Sequence, residues 1–428
     1  MKEVGIGIIG IGNIGSYLYK EVNLKKNEIY KNLGFKIKVL GVSAKNIKKK
    51  RSIKINKELF YKNPIDLAKN KKINIIFELI GTSDGISKKV VETALINKKH
   101  VITANKALIS KHGEYLSKLA EKNNVNLEFE ASVGGGIPVL RTIKDGLATN
   151  KISKVIGILN GTSNFILTEM EKTKKSFNEV LIKSQKLGLA EANPKFDLDG
   201  SDVLAKVRIL SSLAFKNKIS SIDCLKNGIE NIDIKDIEMA NNLNLRIKLL
   251  GITETINNKL FERVHPSLVP KDNYIANING AMNAVILKGS PVGESVLQGE
   301  GAGPGPTSSA LMADLLSILR GNIKYPFGIP NNKRKKINYY NKEFYENCLY
   351  LRLEVKDKPG VLSDITKNLA RYKISIERLI QIPDKKNNKA TIVIITHKCL
   401  EKNSLNCIKS LSSNKNVFKT PVLIRLFS

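Results

Sequence analysis

A glycine pattern near the amino terminus constrains the fold of this chain more than any other feature. The apolar run 4–9 leads into Gly10, Gly12 and Gly15, spaced Gly-x-Gly-x-x-Gly, and a helix-compatible stretch follows from Ser16. A buried strand, this spacing and a helix, in that order, predict a parallel α/β sheet that binds a dinucleotide at the strand-to-helix turn. Gly10 permits the tight turn, Gly12 the approach of a pyrophosphate, and Gly15 the packing of helix on strand.

The helix after this turn would present free N–H groups and a positive dipole end to phosphates. We therefore expect the cofactor to contact Ile9, Gly10, Gly12, Asn13, Ile14 and Gly15. The second strand is predicted at 35–42, and no acid occurs between Ile29 and Lys57 to hold a ribose 2′-hydroxyl. Lys45 and the cations after it favour the 2′-phosphate of NADP. Because lysine is abundant along the whole chain, NAD stays open as the alternative.

Two later strands are predicted to end beside the same cofactor. The strand at 73–80 ends at Gly81 and Thr82, and the strand at 100–103 ends before Lys106. Ligands of such sheets lie outside the carboxyl ends of the strands, so we expect these three residues to reach the crevice. A solvated surface lysine is the alternative interpretation of Lys106.

The stretch 188–206 carries the chemistry of the prediction. It holds four acids, and a helix is expected to begin near Ser201, with that residue as its cap. Asp202 and Lys206 are four residues apart and share one helix face near the N-terminal end. We interpret Asp202 as the group that orients and tunes a catalytic Lys206, while the nearby acids hold a cationic part of the substrate. A routine surface ion pair, which contributes little, is the alternative.

Hydride transfer to a carbonyl requires a proton donor for the developing alkoxide. None of the four histidines lies in the acidic stretch, and no tyrosine has a lysine four positions later. The first cysteine is Cys224, far from these motifs. Lysine remains as the donor, since burial and neighbouring charges can adjust its pKa.

Together these motifs resemble homoserine dehydrogenases, in order, over residues 3–330. The resemblance rests on the glycine turn at 10–15, TANK at 103–106, EASVGGGIP at 130–138, GILNGTSN at 157–164, the acidic stretch, and GEGAGPGPTSSA at 299–310. It implies the reversible reduction of L-aspartate 4-semialdehyde to L-homoserine, a step toward threonine, methionine and isoleucine.

The resemblance also implies roles for single residues. Lys206 would donate the proton, and Lys106 would lie near both nicotinamide and substrate. Glu191 would bind the amino group of the substrate, and Asp197 and Asp202 would complete that pocket.

A monovalent cation, Na⁺ or K⁺, is a further implication of the family. Its ligands would be the Glu130 side chain and the backbone carbonyls of Val133, Gly135 and Ile137. Nothing in the composition itself indicates this ion.

The remaining chain predicts a separate C-terminal unit. Residues 331–344 are polar and basic and are interpreted as a linker. The β-α-β-β-α-β order in 345–428 predicts a ferredoxin-like fold, and the turn at 356–362 resembles that of ACT domains, which bind amino acids. We expect threonine to act as an effector through this domain; a domain that only dimerises is the alternative.

The predicted organisation is therefore an α/β chain in three parts. A Rossmann-type domain spans 1–135 and is completed by a helix at about 307–322. An α+β substrate-binding, catalytic and dimerisation domain spans 136–306, and the ACT domain spans 345–428. A homodimer or homotetramer is expected.

The charge of the chain leaves one other class of function to consider. Seventy-one lysines and arginines against 39 acids give a formal net charge of +32, which would suit a nucleic-acid binder. The charges are spread over the whole chain, and the excess of lysine, isoleucine and asparagine is typical of AT-rich codons, so we expect no nucleic-acid partner. The four cysteines lack metal-ligand spacing, and no apolar run reaches the ~18 residues of a membrane helix. A cytoplasmic protein without a membrane partner is expected.

Two further alternatives share the fold with this prediction. One is a catalytically silent amino-acid sensor, which would be expected to lack the lysines, yet Lys106 and Lys206 are both present. The other is a different amino-acid or hydroxy-acid dehydrogenase that uses a lysine donor.

Overall fold

The computed structural model describes residues 2–51, 53–321, 323–384 and 387–427. The ends of three predicted segments, at residues 1, 322 and 428, lie outside this described part. The predicted α/β class, with a Rossmann-type first domain and a ferredoxin-like C-terminal domain, is confirmed. Among the described helices, none combines the length and apolarity needed to cross a membrane.

The first sheet is parallel and has the strand order β3-β2-β1-β4-β5-β6. Its strands are β1 Lys2–Ile9, β2 Phe35–Ser43, β3 Phe60–Tyr61, β4 Ile75–Glu78, β5 His100–Thr103 and β6 Leu127–Glu128. The connecting helices are α1 Asn13–Leu33, α2 Pro64–Lys69, α3 Ile86–Ile96 and α4 Lys106–Lys122. The chain leaves β1 toward β2 on one side and β4 lies on the other, so a crevice opens at the carboxyl ends of β1 and β4.

The middle of the chain forms a mostly antiparallel sheet covered by helices. Its strands are β7 Lys151–Ile158, β8 Leu225–Lys226, β9 Leu245–Ile256, β10 Lys259–Pro270, β11 Met282–Ser290 and β12 Gly293–Glu300. Its helices are α5 Val139–Arg141, α6 Gly161–Thr173, α7 Phe177–Lys186, α8 Lys195–Leu198, α9 Ser201–Ala214 and α10 Ile234–Asn242. The next helix, α11 Pro304–Leu319, returns to the first sheet, where Leu311 and Leu315 share a core with Ile6 and Leu18.

The C-terminal domain contains β13 Glu346–Asn347, β14 Leu349–Lys356, α12 Val361–Arg371, β15 Ile376–Asp384, β16 Lys389–Thr396, β17 Cys399–Leu400, α13 Glu401–Ser412 and β18 Val422–Leu426. Its main strands lie in the order β18-β14-β16-β15, as in ferredoxin-like folds. Strand β18 also pairs in parallel with β10, where Ser267 is opposite Arg425. The middle sheet and the C-terminal sheet are therefore one continuous sheet of ten strands.

The connection 331–344 lies against the body of the protein over much of its length. Arg334 is buried, and its guanidinium donates to the carbonyl of Asn217 at 2.9 Å and to the Ser212 hydroxyl at 2.5 Å. The backbone of Leu260 bonds on both sides, to Asn338 and Tyr340. The polar composition that suggested a linker did not indicate this packing, because it depends on partners far away in the sequence.

Candidate active site

One buried carboxylate lies between two lysine side chains at the junction of the first sheet and the middle domain. Asp202 is 1% exposed, and its Oδ2 accepts a hydrogen bond from Lys206 Nζ at 2.7 Å. Lys106 Nζ lies 2.7 Å from Oδ1. The two ammonium groups thus form ion pairs with different oxygens of the same carboxylate. Lys206 Nζ also donates to the Leu159 carbonyl at 2.6 Å, which fixes its direction.

Helix α9 holds both Asp202 and Lys206 on one face, as the four-residue spacing predicts. The predicted cap of this helix is wrong. The cap position is Gly200, with a φ of +83°, and in the described chain no side chain caps the helix. Ser201 is instead the first helical residue, and its hydroxyl accepts a bond from Lys226 at 2.8 Å.

Lys106 is placed by a buried network that sequence reasoning missed. Glu78, fully buried at the end of β4, accepts bonds from Thr103 Oγ1 at 2.7 Å and Ser87 Oγ at 2.5 Å. Asn105 caps α4 and donates to the Thr82 carbonyl at 2.8 Å, which ties the two predicted loops together. An acid at the end of an otherwise apolar strand was the signal available in the sequence, because a buried carboxylate must find several donors.

Two of the three acids of the predicted substrate pocket converge on Asn160. Its amide nitrogen donates to Asp197 Oδ1 at 2.8 Å and to Asp202 Oδ2 at 2.9 Å, while its oxygen accepts from the Ser163 N–H. Asp197 is partly buried, whereas Glu191 is exposed at the rim, close enough for its charge to act on Lys106. Asn160 is thus a further site residue, and its only signal in the sequence was its place in a turn rich in small polar groups.

The pKa values of the two lysines are shifted in opposite directions. Burial lowers the pKa of Lys206, and the attraction of Asp202 does not fully offset this, since the Lys106 charge adds to the lowering. Burial also opposes the charge of Lys106, but Asp202, Asp197 and Glu191 outweigh it and raise the pKa of Lys106. Lys206 is therefore the amine that releases its proton more readily, which suits a group that must exchange one with a ligand.

The pKa values of the two carboxylates next to the lysines are also shifted in opposite directions. Burial would raise the pKa of Asp202, but Lys206 and Lys106 hold it well below its usual range. Burial, followed by repulsion from Asp202, raises the pKa of Asp197 despite the hydrogen bond from Asn160. Asp202 is therefore the fixed negative charge of the site.

The glycine turn at the end of β1 fits a pyrophosphate. Gly10 has a φ of +99°, and its N–H donates to the Ser43 carbonyl. A Cβ at Gly15 would lie 2.2 Å from the Gly10 carbonyl, whereas one at Gly12 would meet no described atom within 4 Å. Helix α1 begins here with no side-chain cap in the described chain, so its first N–H groups face the open space beside Gly12.

Two cations in the loop after β2, which the sequence could not distinguish, have different surroundings in the structure. Arg51 donates to the Ile11 carbonyl at 3.1 Å and to three carbonyls of its own loop, so its guanidinium shapes the loop. Lys45, six residues earlier in the same loop, is exposed. On the other side of the crevice Gly81 has a φ of +92°, and a Cβ there would also meet no described atom within 4 Å.

The predicted cation ligands lie on the chain that leaves β6. Glu130 is buried, and its carboxylate accepts the N–H groups of Leu140 at 2.9 Å and Arg141 at 2.8 Å. The Ile137 carbonyl accepts a bond from Val139 at 2.8 Å. Among the described residues no three histidines, cysteines or acids cluster as metal ligands, so any ion here would depend largely on backbone carbonyls.

Three family models match this chain one after another. The model of the homoserine dehydrogenase NAD-binding domain matches residues 10–130, that of homoserine dehydrogenase matches 138–316, and that of the ACT domain matches 349–404. A homoserine dehydrogenase of Neisseria gonorrhoeae is 38% identical over all of this chain and 99% of its own length. This chain belongs to the homoserine dehydrogenase family. A Bacillus subtilis homoserine dehydrogenase is 34% identical over 96% of this chain and 95% of its own length.

Solved structures of homoserine dehydrogenases share the fold over the full chain. That from Thiobacillus denitrificans superposes with a TM-score of 0.91 at 36% identity, covering 100% of this chain and 99% of that one. That from Staphylococcus aureus gives a TM-score of 0.76 at 30% identity, with complete coverage of both chains. The chain is thus an oxidoreductase of the class that acts on CH–OH groups with a nicotinamide cofactor, and it carries an ACT domain.

Proposed function

We propose that this protein catalyses the reversible reduction of L-aspartate 4-semialdehyde to L-homoserine, with Lys206 as the proton donor. The observation that supports the proposal most is the pairing of Lys206 with Asp202 in a buried site, with Lys106 opposite. These groups lie where helix α4, which follows β5 and begins at Lys106, meets helix α9.

A reduced nicotinamide held by the glycine turn would supply a hydride to the aldehyde carbon. The electron pair of the carbonyl π bond then moves to oxygen, and Lys206 Nζ donates a proton to that oxygen as the alkoxide develops. In the reverse direction neutral Lys206 accepts the proton of the alcohol. Asp202 holds the Lys206 amine in place through a hydrogen bond of 2.7 Å and stabilises its charged form. Lys106 pairs with the other oxygen of the Asp202 carboxylate and balances part of its negative charge.

Recognition of the substrate depends on charge. Its α-ammonium group would pair with Glu191, Asp197 and Asp202, of which the last two are already joined through Asn160. Lys106 would face the carboxylate or the carbonyl oxygen. An aldehyde without the amino group should therefore bind far less well, since it offers no positive charge to these carboxylates.

NADP is the proposed cofactor, with NAD as the alternative. Residues Ile9, Gly10, Gly12, Asn13, Ile14 and Gly15 would hold the pyrophosphate, and Lys45 would pair with the 2′-phosphate. Gly81, Thr82 and Lys106 would border the nicotinamide. Lys45 is exposed and can reach a ligand, whereas the Arg51 guanidinium already donates to backbone carbonyls. This difference supports Lys45 as the partner of a 2′-phosphate, and hence NADP.

The remaining parts of the proposal concern a bound ion, an effector, the oligomeric state and the location of the protein. A monovalent cation would bind Glu130 and the carbonyls of Val133, Gly135 and Ile137. Threonine would act as effector through the ACT domain. We also propose a cytoplasmic homodimer or homotetramer without nucleic-acid partners.

The test is a spectrophotometric assay of the full chain with L-aspartate 4-semialdehyde and either NADPH or NADH. Succinate semialdehyde, the same aldehyde without the amino group, is the matched control substrate. We expect oxidation of the reduced nicotinamide with the amino-acid substrate and little with the control. Equal rates with both aldehydes would contradict the role of the acids, and no rate with either would contradict the function.

A further inference from the structure

The last strand of the C-terminal domain contacts a loop of the catalytic body through one arginine. Arg425 on β18 is 1% exposed, and its Nε donates to Glu401 at 3.0 Å. Its Nη1 donates to Asn227 Oδ1 at 3.2 Å. Asn227 directly follows the short strand β8, and its own N–H bonds to the Val264 carbonyl at 2.8 Å. The position of this loop is therefore set from both domains.

The same loop lies directly against the backbone of the acid segment. A Cβ at Gly228 would be 2.0 Å from the Leu198 carbonyl oxygen and 2.6 Å from the Asp199 Cα. The Ile229 N–H donates to the Leu198 carbonyl at 2.9 Å. Only glycine at position 228 permits this contact, and no side chain lies between the two backbones to absorb a displacement.

The acid segment at this point carries the groups of the site. Leu198 directly follows Asp197, and the Asp197 carboxylate accepts a hydrogen bond from Asn160. Gly200 is the cap of the helix that carries Asp202 and Lys206. A shift of the loop would thus move Asp197 and the start of α9 together. Backbone contacts of this kind transmit small displacements because packed interiors yield little.

On its other side the loop borders open space. A cavity of about 720 Å³ lies between this loop and the C-terminal domain, with Asn227, Glu230, Arg352 and Lys419 in its wall. Close packing therefore does not hold the loop on this side, and the bond from Arg425 has a correspondingly larger part in fixing it.

We propose that Asn227 and Gly228 are positioning residues that couple the C-terminal domain to the substrate acids. The coupling runs from Arg425 to Asn227, then from Gly228 to the backbone of Leu198. It rests on the proposed function only in the identity of the substrate. Any movement of β18 within the shared sheet would change the pocket for the amino-acid substrate and leave the cofactor turn unaffected.

The test compares Asn227→Leu, which removes the acceptor at similar size, with Asn227→Asp, which keeps it. We expect the leucine variant to raise KM for aspartate semialdehyde by about 5- to 20-fold, within the usual range of coupling between sites. Its KM for NADPH should be unchanged, and the aspartate variant should stay within about twofold of the wild type. Lys235→Met is the control, because it removes another contact between the body and this domain, the 3.4 Å pair with Glu354.

A second measurement does not depend on activity. Hydrogen exchange of the segment 197–206, followed by mass spectrometry, should be faster in Asn227→Leu than in the wild type and unchanged in Lys235→Met. If the wild type lacks the proposed activity, this exchange alone decides the coupling. Unchanged exchange and unchanged KM in Asn227→Leu would overturn the proposal, and Asn227→Ala repeats the test if the leucine variant does not fold.

Discussion

Lys206 donates to Asp202 across one turn of α9 at 2.7 Å, with its amine buried and directed by the Leu159 carbonyl. Lys206→Met should therefore lower turnover by about 10²- to 10⁴-fold, the usual contribution of a positioned acid or base. Its KM for the cofactor should be little changed, because the amine contacts α9 and Leu159 and not the glycine turn. Steady-state kinetics in both directions measures this. Lys183→Met, which removes an exposed lysine paired with Glu169, is the control, and equal losses in the two variants would contradict the assignment.

The pH dependence of the two directions should be opposite. Burial holds the pKa of Lys206 below its usual 10.5, so the amine loses its proton at a lower pH than a solvated lysine. Reduction needs the protonated amine and should fall as pH rises through that pKa, whereas oxidation of the alcohol needs the neutral amine and should rise.

The profile of kcat against pH, measured in both directions, tests this assignment. In Lys206→Arg the residual activity should lose this limb of the profile, because a guanidinium stays protonated over the accessible range. A wild-type profile with the same slope in both directions would rule out Lys206 as the group that titrates.

Two glycines of the cofactor turn should respond differently to alanine. At Gly12 the added Cβ meets open space, so Gly12→Ala should keep its thermal stability but raise KM for the cofactor, since the methyl group occupies the approach of the pyrophosphate. At Gly15 the Cβ would lie 2.2 Å from the Gly10 carbonyl, so Gly15→Ala should lower the melting temperature as well. Thermal unfolding without cofactor separates the two effects. A Gly12→Ala variant as unstable as Gly15→Ala would show that no open space exists there.

The parts of the fold that the sequence predicted are those set by local geometry. The turn at Gly10 requires a positive φ, and the alternation of apolar runs with helical stretches recurs along the first 130 residues. The joining of β10 with β18 was not predicted, because the partners Ser267 and Arg425 are far apart in the sequence and neither has a distinctive pattern. The packing of Arg334 against Asn217 was missed for the same reason.

The residues of the candidate site also fall into two groups, those placed by local spacing and those placed by contacts between distant parts of the chain. Lys206 and Asp202 were predicted because both lie on one helix, where spacing fixes geometry. Glu78 and Asn160 were missed as site residues, since their roles exist only where separate loops meet. The Ser201 cap was wrong because Gly200, with its positive φ, takes the cap position and Ser201 is the first helical residue.

The exposed ammonium of Lys45 predicts a change of cofactor preference. Lys45→Glu should raise KM for NADPH relative to NADH, because a carboxylate repels a 2′-phosphate and can accept a bond from a 2′-hydroxyl. Lys48→Glu makes the same change of charge three residues further along the loop and should have a smaller effect. The ratio of kcat/KM for the two cofactors is the measurement. An equal shift in both variants would indicate a general effect of charge and not a specific contact.

A buried lysine away from the site predicts how stability changes with pH. Lys248 is 1% exposed, and its amine donates to Asn164 Oδ1 at 3.1 Å and to the Ile278 carbonyl. Burial, with a smaller contribution from Arg246, lowers the pKa of Lys248 to about 8. Between about pH 8 and the unfolded value of 10.5, the unfolded chain therefore binds more protons than the folded chain at this position.

The contribution of Lys248 to the free energy of unfolding should consequently increase as pH rises through that window, by at most about 1.4 kcal/mol per pH unit. Urea unfolding of wild type and Lys248→Met at several pH values between 7 and 10, roughly spanning that window, isolates the effect, since the other lysines are common to both. The wild type should gain stability relative to the variant as pH increases. Lys259→Met, at an exposed position of β10, should run parallel to the wild type. A constant difference between wild type and Lys248→Met would mean that the amine keeps its proton, and that its hydrogen bonds to Asn164 and Ile278 outweigh the cost of burial.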